Sequence, residues 1–170
     1  MLQVLAGGKS RLKFLFPMLI VFPLGLLATS VVFDFIHLVR GGHTAATVAH
    51  ALTAAGLVGG VLAAPWGLVD WLAIPSGTRA KTIGALHGGG NVIVLALFAA
   101  SWWLRSAAPT QSPVLAYACS FGGAGIALIT AWLGGELVDR LGVGVSPHAS
   151  LNARSSLSGP AEPASTRPQA

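Results

Sequence analysis

The sequence predicts an all-α fold, an integral membrane four-helix up-and-down bundle followed by a disordered C-terminal tail, on three observations. Four stretches, residues 14–33, 41–69, 82–104 and 106–135, contain no Asp, Glu, Lys or Arg. A helix rising ~1.5 Å per residue needs about 20 apolar residues to cross ~30 Å of hydrocarbon, so each stretch is long enough for one crossing. The whole chain is 54% hydrophobic and 9% charged, with a mean hydropathy of +0.73, whereas about a quarter of the residues in a soluble domain are charged. Finally, small residues recur at four-residue spacing: Gly56 and Gly60, Gly84 and Gly88, and Ala127, Ala131 and Gly135. Lipid gives helices little hydrophobic reason to associate, and small residues let their backbones approach. Gly88 is therefore expected to meet a neighbouring helix closely.

Residues 1–13 are expected to be a cytoplasmic segment carrying Lys9, Arg11 and Lys13. The bundle domain covers residues 14–145. Its first span, about 14–37, contains Pro17 and Pro23. Each proline frees backbone groups, which predicts an irregular start and a kink. A basic start before an apolar run also fits a secretory signal cleaved near Ala28. The run continues through Val31, Val32 and Phe33, which favours a retained helix. The second span, about 44–69, has Trp66 and Trp71 at its end, and the third, about 82–104, closes on Trp102 and Trp103; both pairs suit interfacial aromatic belts. The fourth span, about 113–137, holds the single cysteine, Cys119. One cysteine excludes an intramolecular disulfide and any cysteine-based metal cluster within one chain. Residues 146–170, rich in Ser, Pro and Ala, have little to bury and are expected to be a disordered cytoplasmic tail.

Eight basic residues, Lys9, Arg11, Lys13, Arg79, Lys81, Arg140, Arg154 and Arg167, fall on one side of this topology, and only Arg40 and Arg105 on the other. The positive-inside rule then puts both termini in the cytoplasm, in a bacterial inner membrane. The net charge of +5 is a signal of topology and of anionic lipid rather than of nucleic acid. The partners expected are the bilayer and either a membrane redox protein or a second copy of the chain.

Polar side chains within the spans fall into two layers. Toward the outer face lie Asp34 and His37, three apart on one face of span one, and His43 and His50, seven apart on one face of span two. Toward the inner face lie His87 and Asn91, four apart on span three, with Asp70 ending span two and Glu136, Asp139 and Arg140 ending span four. Asp34 is expected to pair with His37, His43 or Arg40, and Glu136 and Arg140 are spaced for a helical ion pair. His50 and His87 lie about 9 Å inside their spans, where an ionisable group has a partner or a function. Hydrogen bonding to a neighbouring helix explains both and stands ahead of ligation. Haem is the sharpest cofactor hypothesis, since membrane bundles hold it by axial side chains from different helices. His37 and His50 are candidates in the outer layer, and His87 with Asn91 in the inner.

The segments FPMLIVFPLGLLATSVVFD, GLVDWLAIPSGTRAK, LHGGGNVIVLALF and WLGGELVDRLGVGV resemble, in matching order over roughly residues 14–145, the bacterial multi-pass membrane family labelled domain of unknown function 2231. The resemblance implies a four-helix membrane protein. Some relatives are joined to Rieske iron–sulfur domains, which this chain lacks. Members typically open the first motif with His-Pro, and this chain has Phe16-Pro17. A histidine there would enter the membrane on the same side as His87; phenylalanine cannot ligate.

Three function classes follow. The first is a redox-linked membrane subunit associated with haem or quinone. The second is a non-catalytic scaffold or assembly partner. The third is a small proton or ion transporter using Asp34, His37 and His50. No nucleophile–base pair, phosphate loop or metalloprotease spacing is present, so the chain offers no catalytic residues of those kinds.

Overall fold

The computed structural model describes residues 2–146 and 149–153, with side chains described from Ile20 onward. It contains four long helices: α1 (Leu2–Arg40), α2 (His43–Ala73), α3 (Arg79–Leu104) and α4 (Val114–Gly135). A 3-10 turn at Pro109–Gln111 precedes α4, and a π-helical turn at Glu136–Arg140 extends it. In all four, a window long and apolar enough to cross a membrane is present. The irregular start expected at Pro17 and Pro23 is absent, since α1 is one helix from Leu2 to Arg40. Pro23 is buried at the α1–α2 contact. A Cβ on Gly59 would stand 3.2 Å from its ring, so the bare glycine backbone makes room for the proline. The side chains of Phe16 and Pro17, and most of the tail expected to be disordered, lie outside the described set.

Local chemistry ends each helix. Gly41 and Gly42 adopt φ of 68° and 94° after Arg40, a region open to glycine, and they reverse the chain in two residues. Helix α2 stops at Ile74, which is extended because Pro75 follows it. Gly77 then turns the chain at φ 77°, and Thr78 caps α3 by accepting a hydrogen bond from the Lys81 amide at 3.2 Å. Beyond α4 the amide of Leu141 bonds the carbonyl of Glu136 at 3.1 Å, a span of five residues that widens the last turn.

The helices pack along seams of alternating three- and four-residue steps. The seam positions, each buried or half-buried, are 23, 27, 30, 34 and 37 on α1; 46, 49, 53, 56, 60 and 63 on α2; 84, 87, 91, 94, 98, 101 and 105 on α3 and its C-cap; and 116, 120, 123, 127, 130, 134 and 137 on α4 and its extension. This 3.5-residue repeat is the signature of near-parallel helices in a left-handed bundle. Leu27, Val94 and Phe98 form the middle of the core, with Val31, Leu57, Leu95, Ala124, Ile126 and Ala127 against them. The outward faces carry Phe22, Val32, Phe35, Val61, Val92, Leu128 and many other exposed apolar side chains, as lipid requires.

The expectation for Gly88 is corrected. Nothing lies within 4 Å of where its Cβ would stand, and the same holds for Gly89 and Gly135, while Ala131 is exposed. The close approaches are elsewhere. A Cβ would stand 2.7 Å from Leu27 at Gly56, 2.6 Å from Leu95 at Gly60 and 2.8 Å from Trp71 at Gly84, and at Gly90 it would collide with the Thr130 methyl.

Candidate functional site

The seam of α3 carries polar side chains at both ends and apolar ones between: Gly84, His87 and Asn91, then Val94 and Phe98, then Ser101 and Arg105. Each polar end meets partners on other helices, and the two side-chain networks so formed, one around Asp34 and one around His87 and Asn91, are called outer and inner after the topology expected from the sequence.

The outer network is built on Asp34 and Arg105, whose side chains are each 1% exposed. Arg105 Nη1 donates to Asp34 Oδ1 at 2.5 Å and Nη2 to Asp34 Oδ2 at 3.2 Å, the two-pronged geometry that a planar guanidinium offers a carboxylate. Nη2 also donates to Ser101 Oγ at 2.6 Å, and Nε to the Ser101 carbonyl at 3.2 Å. Ser120 Oγ donates to Asp34 Oδ2 at 2.7 Å, and Ser101 Oγ to the Ala116 carbonyl at 2.7 Å. The guanidinium carbon stands 5.2 Å from the Tyr117 ring centre. Helices α1, α3 and α4 are thereby joined through one neutral, hydrogen-bonded cluster. Arg105 replaces His37, His43 and Arg40 as the partner of Asp34. It follows the charge-free run as if marking a boundary, but it continues the seam of Phe98 and Ser101 and so turns inward.

The outer histidines have separate partners. His37 Nδ1 lies 2.8 Å from the Gly42 carbonyl, and its ring stacks on Tyr117 of α4 at 6.4 Å. His50 stacks on Trp102 of α3 at 5.3 Å with the planes 8° apart. His50 Nδ1 and Trp102 Nε1 are buried without a hydrogen-bond partner among the described residues. His37 and His50, the candidates for axial ligation in this layer, are thus engaged by α4 and α3 respectively. His43 is exposed.

The inner network is closed. His87 Nδ1 is 2.8 Å from the Thr130 carbonyl, which only accepts, so Nδ1 carries the proton and donates. His87 Nε2 then accepts from Asn91 Nδ2 at 3.1 Å, and Thr130 Oγ1 donates to Asn91 Oδ1 at 2.9 Å. Gly134 lets the ring sit against α4: a Cβ there would stand 3.1 Å from His87 Cε1. The sequence pairs His87 with Asn91 by their spacing. It gives no sign of Thr130, because a threonine in an apolar helix ordinarily bonds its own helix; the Ala127 carbonyl, 3.0 Å from Thr130 Oγ1, competes with Asn91 Oδ1 for the one hydroxyl hydrogen.

At the inner end Glu136 bonds Arg79 at 2.7 Å and lies 3.8 Å from Arg140, its expected helical partner. The widened turn of Glu136–Arg140 begins at this carboxylate. Lys81 Nζ donates to the Trp71 carbonyl at 2.7 Å and lies 4.0 Å from the Trp71 ring centre. Asp70 and Asp139 are exposed. Among the described residues no three of His, Cys, Asp and Glu are grouped to hold a metal ion.

If the Thr130 hydroxyl holds Asn91 in place, Thr130→Val, which keeps the shape and removes the donor, leaves Asn91 Oδ1 unpaired. It is expected to cost about 1–3 kcal/mol in detergent-monitored unfolding. A change within experimental error would show that the Thr130–Asn91 bond contributes nothing.

Over residues 14–147 the chain matches the family model described as "Predicted membrane protein (DUF2231)". No curated protein and no solved structure matches it.

Proposed function

Since the chain belongs to the DUF2231 family of predicted membrane proteins, we propose that it acts in the bilayer as a rigid, non-catalytic scaffold or assembly partner, rather than as a haem-binding redox subunit. The carrying observation is His87. Both of its ring nitrogens are taken, by Thr130 and by Asn91, so the imidazole serves as a strut between α3 and α4. An axial role would require Nε2 to leave Asn91 and the ring to move away from the close packing at Gly134.

The test is the visible spectrum of the detergent-purified protein, oxidised and then reduced with dithionite. The scaffold reading expects no stoichiometric Soret or α band, and His87→Gln, which keeps a donor and an acceptor, more stable than His87→Leu. Stoichiometric haem that disappears in a folded His87→Ala variant would overturn it in favour of the redox reading.

The same reading has both termini in the cytoplasm and the module in a bacterial inner membrane. The support is the eight-to-two division of basic residues. The burial of Arg105 against Asp34 adds to it, leaving Arg40, among the described residues, as the exposed Lys or Arg of the outer side. Ser106, exposed just beyond α3, is a fitting reporter. In a Cys119→Ala background, Ser106→Cys is expected to react with a membrane-impermeant maleimide added to intact cells. Reaction only after the cytoplasmic side is opened would invert the topology.

A further inference from the structure

The outer rim of the bundle carries a groove that neither network fills. We propose that it binds the reduced headgroup of a lipid-soluble quinol, with the tail lying along the bilayer face. This goes beyond the scaffold reading and does not depend on it. The groove has a volume of ≈ 540 Å³ and opens between the end of α1 and the first half of α4, the two neighbouring helices with the least contact. One helical turn deeper, the bond from Ser120 to Asp34 ties α1 to α4.

The walls divide by polarity. Thr110, Gln111 and Ser112 of the turn before α4 form the outer edge, while Leu38, Val114 and Phe121 form apolar walls. Leu38 and Val114 are exposed apolar side chains, so a tail can leave sideways into lipid. A ligand that fits has a compact polar head and an apolar chain.

His37 selects the head. Its Nδ1 faces a backbone carbonyl, which fixes the proton there. Nε2 is left as an acceptor with no partner among the described residues, open to a hydroxyl donor that enters the groove. The stacked Tyr117 lines the same groove, and its hydroxyl has no partner among the described residues. Phe121 adds a second aromatic face. A hydroquinone meets each demand: a hydroxyl to donate to Nε2, a second oxygen, and a flat ring to lie against Tyr117 or Phe121. The oxidised quinone has no hydroxyl hydrogen and loses the bond to Nε2. Binding alone is proposed, with no electron transfer.

The experiment is a calorimetric titration of the full chain in lipid nanodiscs, without oxygen, using short-chain ubiquinol and, separately, the matching ubiquinone, against empty nanodiscs. Saturable binding is expected, with the quinol held about tenfold more tightly than the quinone, as one lost hydrogen bond implies. His37→Leu should remove that preference, and Val114→Trp, which places a bulky ring in the groove, should weaken both forms. His43→Leu, on an exposed neighbouring histidine, should change nothing. A melting temperature for each variant separates lost binding from lost fold, and Val114→Trp tests the groove if His37→Leu does not fold. Equal affinity for the two forms, a preference that survives in folded His37→Leu, or loss of binding when phosphatidylglycerol is raised in the nanodisc would each overturn the proposal. The last outcome would assign the groove to a phospholipid headgroup.

Discussion

Replacing Arg105 with leucine is expected to lower the unfolding free energy by about 3–5 kcal/mol, the cost of leaving a buried carboxylate without its cation. Asp34, 1% exposed, then keeps only the Ser120 hydroxyl among the described residues. Ser101 Oγ loses one partner but retains the Ala116 carbonyl. Asp34→Leu should cost a similar amount for the converse reason, since the guanidinium would be stranded in the bundle. The double variant Asp34→Leu, Arg105→Leu is expected to be more stable than either single variant, because it buries no charge and fills the space with apolar atoms. Unfolding by SDS in mixed micelles, followed by far-UV circular dichroism, gives all three values. Losses that simply add would show that the two side chains do not form one cluster.

Gly90→Leu should be the more damaging of two substitutions made two residues apart. A Cβ at Gly90 collides with the Thr130 methyl, and at Gly88 it meets nothing within 4 Å. Overpacking of this kind costs about 1–3 kcal/mol. Here it also pushes away the residue whose carbonyl and hydroxyl hold His87 and Asn91. Gly88→Leu places its side chain in lipid and, with leucine a better helix former than glycine, is expected to be neutral or stabilising. Comparable melting temperatures for the two variants would refute the registry of α3.

The presence of four apolar helices was legible because long charge-free runs depend on composition alone, and each helix overlaps one of those runs. The seams were harder to read. In a soluble helix the buried stripe is the apolar one, whereas here lipid makes the outside apolar and the inside small or polar: Ser30 and Asp34, Thr53 and Gly56, Ser101 and Arg105, Ser120 and Thr130. A hydrophobic pattern therefore carries almost no contrast. Choosing Gly84 and Gly88 by their four-residue spacing missed the seam, which steps from Gly84 to His87 and Asn91. The His87–Asn91 pair was readable as neighbours one turn apart. The Asp34–Arg105 pair was not, since 71 residues separate them and Arg105 stands where a boundary charge is expected. A polar sign was available: Ser101 lies one turn before Arg105 just as Ser30 lies one turn before Asp34.

The claim that this module is held by closed side-chain networks is tested most directly at His87, by magic-angle-spinning NMR of ¹⁵N-labelled protein in liposomes. His87 is expected to show a protonated Nδ1 and an unprotonated Nε2. A through-hydrogen-bond correlation from Nε2 to the Asn91 carboxamide nitrogen is expected as well. A proton on Nε2, or an Nε2 signal shifted by coordination with no correlation to Asn91, would contradict it.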